Sequence, residues 1–266
     1  MGEIINSLPW VVSTLLIVAL SSTVYGFLVV FIRNRVDSTL LKKNHDVAGF
    51  AFSVVGIVYS VLLGFIVVSA QTRYDELGQT LNQEASILAD LYRDSVSFPD
   101  PTRDEIRSRI LEYVHYVVEQ EWELLSKGKI TAEMQNKATN IWNVFYSFTP
   151  ATEKERIWYS ESINKLNEFT SARLKRQLNF NHHIGRMMWL LLLSGAGITI
   201  CFMFFFYVES LPIHILMIAG LSSYLNFMLY LVYCLDHVFQ GPIAIKPEVF
   251  HHLLEVFQIW NQSLMP

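Results

Sequence analysis

Four stretches of this 266-residue chain contain no Asp, Glu, Lys or Arg: Trp10–Ile32, Val47–Ala70, Met187–Val208 and Ile213–Leu235. Each is longer than the roughly 20 residues that a helix rising about 1.5 Å per residue needs to cross a hydrocarbon layer about 30 Å thick. A chain with four such runs folds into a lipid bilayer, because only helices and closed barrels satisfy their own backbone groups there. The remaining composition agrees, with 52% hydrophobic and only 17% charged residues. No Lys or Arg precedes the first run, and that run exceeds the apolar core of a secretory leader, so it is expected to remain as a span.

The charge sits elsewhere. Residues 71–186, between the second and third runs, carry 15 of the 20 basic and 17 of the 24 acidic side chains. This divides the chain into a first membrane hairpin (1–70), a soluble domain (71–186), a second hairpin (187–235) and a tail (236–266). No proline lies between Pro9 and Pro99. Leu77, Leu81, Leu88, Tyr92 and Val96 continue a helical spacing beyond the second run, so one helix of about 50 residues, roughly 75 Å long, is expected to leave the bilayer unbroken.

Further helices follow in the soluble segment. In DPTRDE (100–105), Asp100 is suited to cap and Pro101 to enter the first turn, and Ile106, Ile110, Tyr113, Val117 and Trp122 carry the pattern on to Gly128. A shorter helix spans Thr131–Ser147. Thr152 and Glu155 form a capping box that opens a helix containing Ile157, Leu166, Phe169, Arg173 and Leu178. The tail holds GPIAIKP, expected to be extended, and a helix over Glu248–Trp260. The fold class is all-α: a polytopic membrane protein with four transmembrane helices and a helical soluble domain inserted between spans two and three.

Within the second run, Gly49, Ser53, Gly56, Ser60 and Gly64 form a stripe of small residues, and Phe50, Val54, Ile57, Val61 and Phe65 form a bulky apolar row beside it. Small residues let helices approach closely in lipid, while a bulky apolar row around an axis gates a pore by dewetting. Both uses are open, and one face can pack while the other lines a passage. Asp46 at one end of the run, and Arg73, Asp75 and Glu76 at the other, are candidate pore-mouth charges. Arg173, Lys175 and Arg176 are candidates for lipid phosphate. His214 and Asn226, the strongest polar groups in span four, are expected to bond to neighbouring helices.

Other patterns carry less. His182 with His183 and His251 with His252 are adjacent pairs whose side chains diverge on a helix, so no metal site is expected. Glu119, Glu121 and Glu123 read as a solvated acidic face. Cys201 and Cys234 lie inside spans, where a disulfide is not expected. GAG at 195–197 lacks the strand-turn-helix setting of a dinucleotide site. No nucleophile elbow, phosphate loop or paired-cysteine motif is present, so neither an enzyme nor a cofactor is expected. A net charge of −4 gives no reason to expect nucleic acid.

Several segments together resemble a known family. NHDVAGFAFSVVGIVYSVLLGF (44–65), NQEASILADLYRD (82–94), EYV and EQEW within 112–122, SARLKRQL (171–178) and LDHVFQGPIAIKP (235–247) are similar, in this order, to the bacterial bestrophin-like membrane proteins. Val238 departs from the family's L-D-x-P-F pattern, which has proline there. The resemblance implies distant kinship with bestrophins, pentameric ion channels whose four-span subunits surround a pore lined by the second span. It also implies a multi-pass protein of the bacterial inner membrane with its helical domain in the cytoplasm. The short first hairpin loop, with Arg33, Arg35, Lys42 and Lys43, competes with the basic residues flanking the domain, so charge alone leaves sidedness open. Two functions are therefore in view: an oligomeric, ion-conducting channel, and a non-conducting scaffold whose helical domain binds a protein or lipid.

Overall fold

A computed structural model describes residues 10–36, 38–180 and 183–263. The described residues form helices and no strand. In chain order they are α1 (Trp10–Arg33), α2 (Ser38–Lys43), α3 (His45–Asp94), α4 (Asp100–Tyr116), α5 (Trp122–Ser126), α6 (Ala132–Ser147), α7 (Glu153–Phe180), α8 (Arg186–Met203), α9 (Leu211–Asp236) and α10 (Glu248–Ser263). The four membrane-spanning segments lie in α1, α3, α8 and α9.

The chain forms two compact units, one from the described parts of 1–74 and 183–244, the other from those of 75–182 and 245–266. Helix α3 is continuous for 50 residues and contributes to both. It stops where the sequence stops supporting it. Ser95–Ser97 tightens into a 3₁₀ turn and Phe98, just before Pro99, is extended, the backbone that a following proline favours.

In the membrane unit, Tyr59, Leu63 and Ile66 of α3 pack with Leu192, Ala196 and Ile200 of α8 and with Leu225 and Val232 of α9. Val29 of α1 joins Met203 and Ile218 in a second cluster. At the far end of the hairpins Arg33 donates to the carbonyls of Val208 (2.9 Å) and Glu209 (2.7 Å), tying α1 to the loop between α8 and α9.

The soluble unit is built on the expected faces. Leu77, Leu81, Leu88 and Tyr92 are buried, as are Ile106, Ile110, Tyr113, Val117, Trp122, Leu166 and Phe169. Three expectations of the pattern fail: Val96, Ile157 and Leu178 are exposed. Val96 lies in the 3₁₀ turn, where the helical spacing no longer applies. The capping box forms as read: Glu155 N–H donates to Thr152 Oγ1 (3.2 Å) and Thr152 N–H to Glu155 Oε2 (3.3 Å). Pro99, not Asp100, is the residue before the first turn of α4, and Asp100 instead pairs with Arg103 at 2.9 Å. The tail's turn forms with valine at 238, closed by Gln240 N–H to His237 O (2.9 Å) and by Gly241 at φ 85°, a left-handed conformation that glycine adopts without strain. Beyond it, α10 stacks Phe257 on Tyr92 at 4.0 Å between ring centroids.

Candidate functional site

The two rows of α3 do not serve packing within the chain. Ser53, Ser60 and Gly64 are exposed, and a Cβ added at Gly56 or Gly64 would meet nothing within 4 Å. Only Gly49 has a near neighbour, Phe206 at 3.6 Å. The Ser53 and Ser60 hydroxyls turn back to the carbonyls of Gly49 (2.9 Å) and Ile57 (2.8 Å), so neither is committed to another helix. The bulky row is equally open, with Phe50 75%, Val54 48%, Ile57 65%, Val61 54% and Phe65 72% exposed. The close helix approach lies elsewhere. A Cβ on Gly195 of α8 would collide with the Tyr59 ring, so the glycine of GAG is what lets α8 lie against α3.

The charges at the ends of the run divide. Asp46, Asp75 and Glu76 are exposed. Arg73 instead pairs with Asp236 at 3.5 Å. Asp236 is buried at the end of α9 and collects the start of span three: Ile184 N–H donates to Oδ1 at 2.6 Å and Trp189 Nε1–H to Oδ2 at 3.3 Å. The backbone carbonyl of Asp236 lies 3.1 Å from His183 Nδ1. This residue was visible in the sequence only as the acid of LDHVF. His182 lies outside the described residues, and no metal-binding cluster occurs among the described ones.

The lipid-phosphate reading of Arg173 and Arg176 is overturned by their burial. Lys175 alone of the three is exposed. Arg176 is fully enclosed: Nε and Nη2 donate to Glu84 at 2.8 and 3.1 Å, and Nη1 donates to Glu121 at 2.9 Å. The Tyr113 hydroxyl donates to Glu84 at 2.5 Å. Arg173 donates to Gln135 Oε1 (2.9 Å) and to the Met134 carbonyl (2.5 Å). Burial alone would push the Arg176 pKa down, but the carboxylates of Glu84 and Glu121 overcome this and hold it well above the usual value. Burial first, and the Glu84 charge second, push the Tyr113 hydroxyl well up.

Glu121 enters this core because the helix after α4 widens into a π-turn over Val117–Glu121. The extra residue turns both Glu121 and Trp122 inward, while Glu119 and Glu123 stay outside as expected of a solvated face. Trp122 and Phe250 flank the Arg176 guanidinium, each ring centroid 5.9 Å from it, and Trp122 Nε1–H donates to Ile245 O at 2.8 Å.

Span four's two polar groups behave differently. His214 Nε2 lies 3.3 Å from the Met203 carbonyl, a bond to a neighbouring helix. Asn226 does not follow that expectation; its carboxamide has no hydrogen-bond partner among the described residues, and it lines a groove beside α1.

A family model for the Bestrophin-like domain matches residues 16–250, taking in most of the first span, the other three spans and most of the soluble unit. The chain belongs to the Bestrophin-like family. Its fold is similar to solved structures of a bacterial Bestrophin homolog from Klebsiella pneumoniae. Two point-substituted forms give TM-scores of 0.69 and 0.68 at 12% identity, covering 90% and 89% of this chain and 98% and 99% of theirs. A further solved membrane protein gives 0.67 at 12% identity over 90% of this chain and 97% of that one. No curated protein matches the sequence. At that identity the Bestrophin-like protein shares the fold while its side chains have been almost wholly replaced.

Proposed function

We propose that this Bestrophin-like protein is the subunit of an ion-conducting homo-oligomer whose α3 helices surround the axis, five copies by likeness to the family. The observation that carries the proposal is the open face of α3. Phe50, Val54, Ile57, Val61 and Phe65 are exposed along one face of the helix, while Tyr59 and Leu63 on another face pack in the core, and the small-residue stripe lies about 100° around from the exposed row. Spans without Asp, Glu, Lys or Arg give one subunit no polar route through lipid, whereas a ring encloses water between copies. In this arrangement Gly49, Ser53, Gly56, Ser60 and Gly64 allow neighbouring copies to approach. Val54, Ile57, Val61 and Phe65 form the dewetted constriction, and Asp46, Asp75 and Glu76 set the potential at its mouths. The domain lies in the cytoplasm and the spans in the bacterial inner membrane.

Reconstitution in liposomes tests the reading. Ile57→Asn or Val61→Asn is expected to raise basal flux of small inorganic ions several-fold, since a polar side chain lowers the cost of wetting. Single cysteines along α3, in a background lacking Cys201 and Cys234, are expected to react with a water-soluble thiol reagent on one helical face. A monomeric mass in mild detergent, with both rows protected, supports the non-conducting scaffold instead.

A further inference from the structure

Asn226 stands near the centre of the uncharged run Ile213–Leu235, about 3 Å from its midpoint along the helix. It lines a groove of about 300 Å³ between α1 and α9. Tyr25 and Ser21 of α1 line the same groove. The Ser21 hydroxyl is satisfied by the Ile17 carbonyl at 2.7 Å, but the Tyr25 hydroxyl, like Asn226, has no partner among the described residues. The rim is apolar and open, with Leu20 65% and Val24 47% exposed. Unpaired polar groups inside the bilayer are costly in hydrocarbon, and Asn226 and Tyr25 both offer hydrogens: the carboxamide N–H₂ and the phenol O–H.

We propose that this groove binds an uncharged, ring-carbonyl amphiphile dissolved in the bilayer, of the quinone class. Its two ring carbonyl oxygens accept, one from Asn226 and the other from Tyr25, and its ring and tail lie against Ile17, Leu20 and Val24. The groove contains no charged residue, which selects an uncharged head. Depth selects the source of the carbonyl, because phospholipid ester carbonyls sit at the interface, about 15 Å away, half the hydrocarbon thickness. A second copy's spanning helix is a poor acceptor, since its backbone carbonyls are engaged within the helix. The groove's volume is at the lower end of the range for small-molecule sites and suits a single ring.

The test uses the full chain in nanodiscs of synthetic phosphatidylcholine, titrated with a decyl-substituted benzoquinone and, as the matched control, decylbenzene. Native mass spectrometry reads the adduct, independently of conduction. The wild type is expected to retain the quinone and not decylbenzene. Asn226→Leu is expected to weaken quinone retention roughly tenfold, the effect of one lost hydrogen bond, and Tyr25→Phe, which removes a single oxygen, several-fold. Equal retention by the wild type and both variants overturns the proposal. So does equal uptake of decylbenzene, or a drop in oligomeric mass for Asn226→Leu, which assigns the groove to subunit contact.

Discussion

Arg176→Met is the sharpest test of what holds the soluble unit together. The guanidinium is fully buried and makes three charge-assisted hydrogen bonds, two to Glu84 and one to Glu121, themselves fully buried. Removing it leaves two enclosed carboxylates without a counter-charge, and breaking a buried pair in this way costs about 3–5 kcal/mol. At about 2–4 °C per kcal/mol for a domain of this class, the unfolding midpoint of the full chain in mild detergent is expected to fall by roughly 10 °C. Far-UV circular dichroism follows the melt. Combining Arg176→Met with Glu84→Met and Glu121→Leu is expected to recover at least half the loss, because an apolar set needs no counter-charge. A fall of under about 3 °C for the single variant, or no recovery in the triple, refutes the reasoning.

Gly195→Ala is expected to cost about 1–3 kcal/mol by forcing the Tyr59 ring out of its place, and Gly195→Ala/Tyr59→Val to restore the melting midpoint; a silent single variant removes the close approach. Tyr113→Phe is expected to cost about 1.5–3 kcal/mol at pH 7 through the lost bond to Glu84. The native hydroxyl titrates well above its unfolded value, so its contribution is complete below pH ~10 and is lost as pH rises beyond; the gap between wild type and Tyr113→Phe should narrow on raising the pH past 10. Thr152→Ala is expected to cost about 1 kcal/mol and to speed hydrogen exchange in the first turn of α7, leaving exchange in α4 unchanged.

What could be read from sequence is what local chemistry settles. Four uncharged runs specify four spans because the length and polarity of a segment decide its partition into lipid, whatever its neighbours. The 50-residue α3 was legible from the absence of proline, and the start of α7 from Thr152 and Glu155, since both depend on residues within one or two turns. The candidate sites depended on more. Arg173, Lys175 and Arg176 look alike in sequence near a membrane. Only the arrival of Glu84 and Glu121, 92 and 55 residues away, makes Arg176 a core residue and leaves Lys175 outside. The π-turn that brings Glu121 in has no signature beyond the five-residue step from Val117 to Trp122. Likewise the glycines of α3 advertise close packing, yet Gly195 is where a neighbouring helix presses, because contact needs a partner and Tyr59 is supplied from another span. Asn226 was legible as a polar residue in lipid; that it lines an open groove, while His214 finds a carbonyl, was decided only when the helices took their positions.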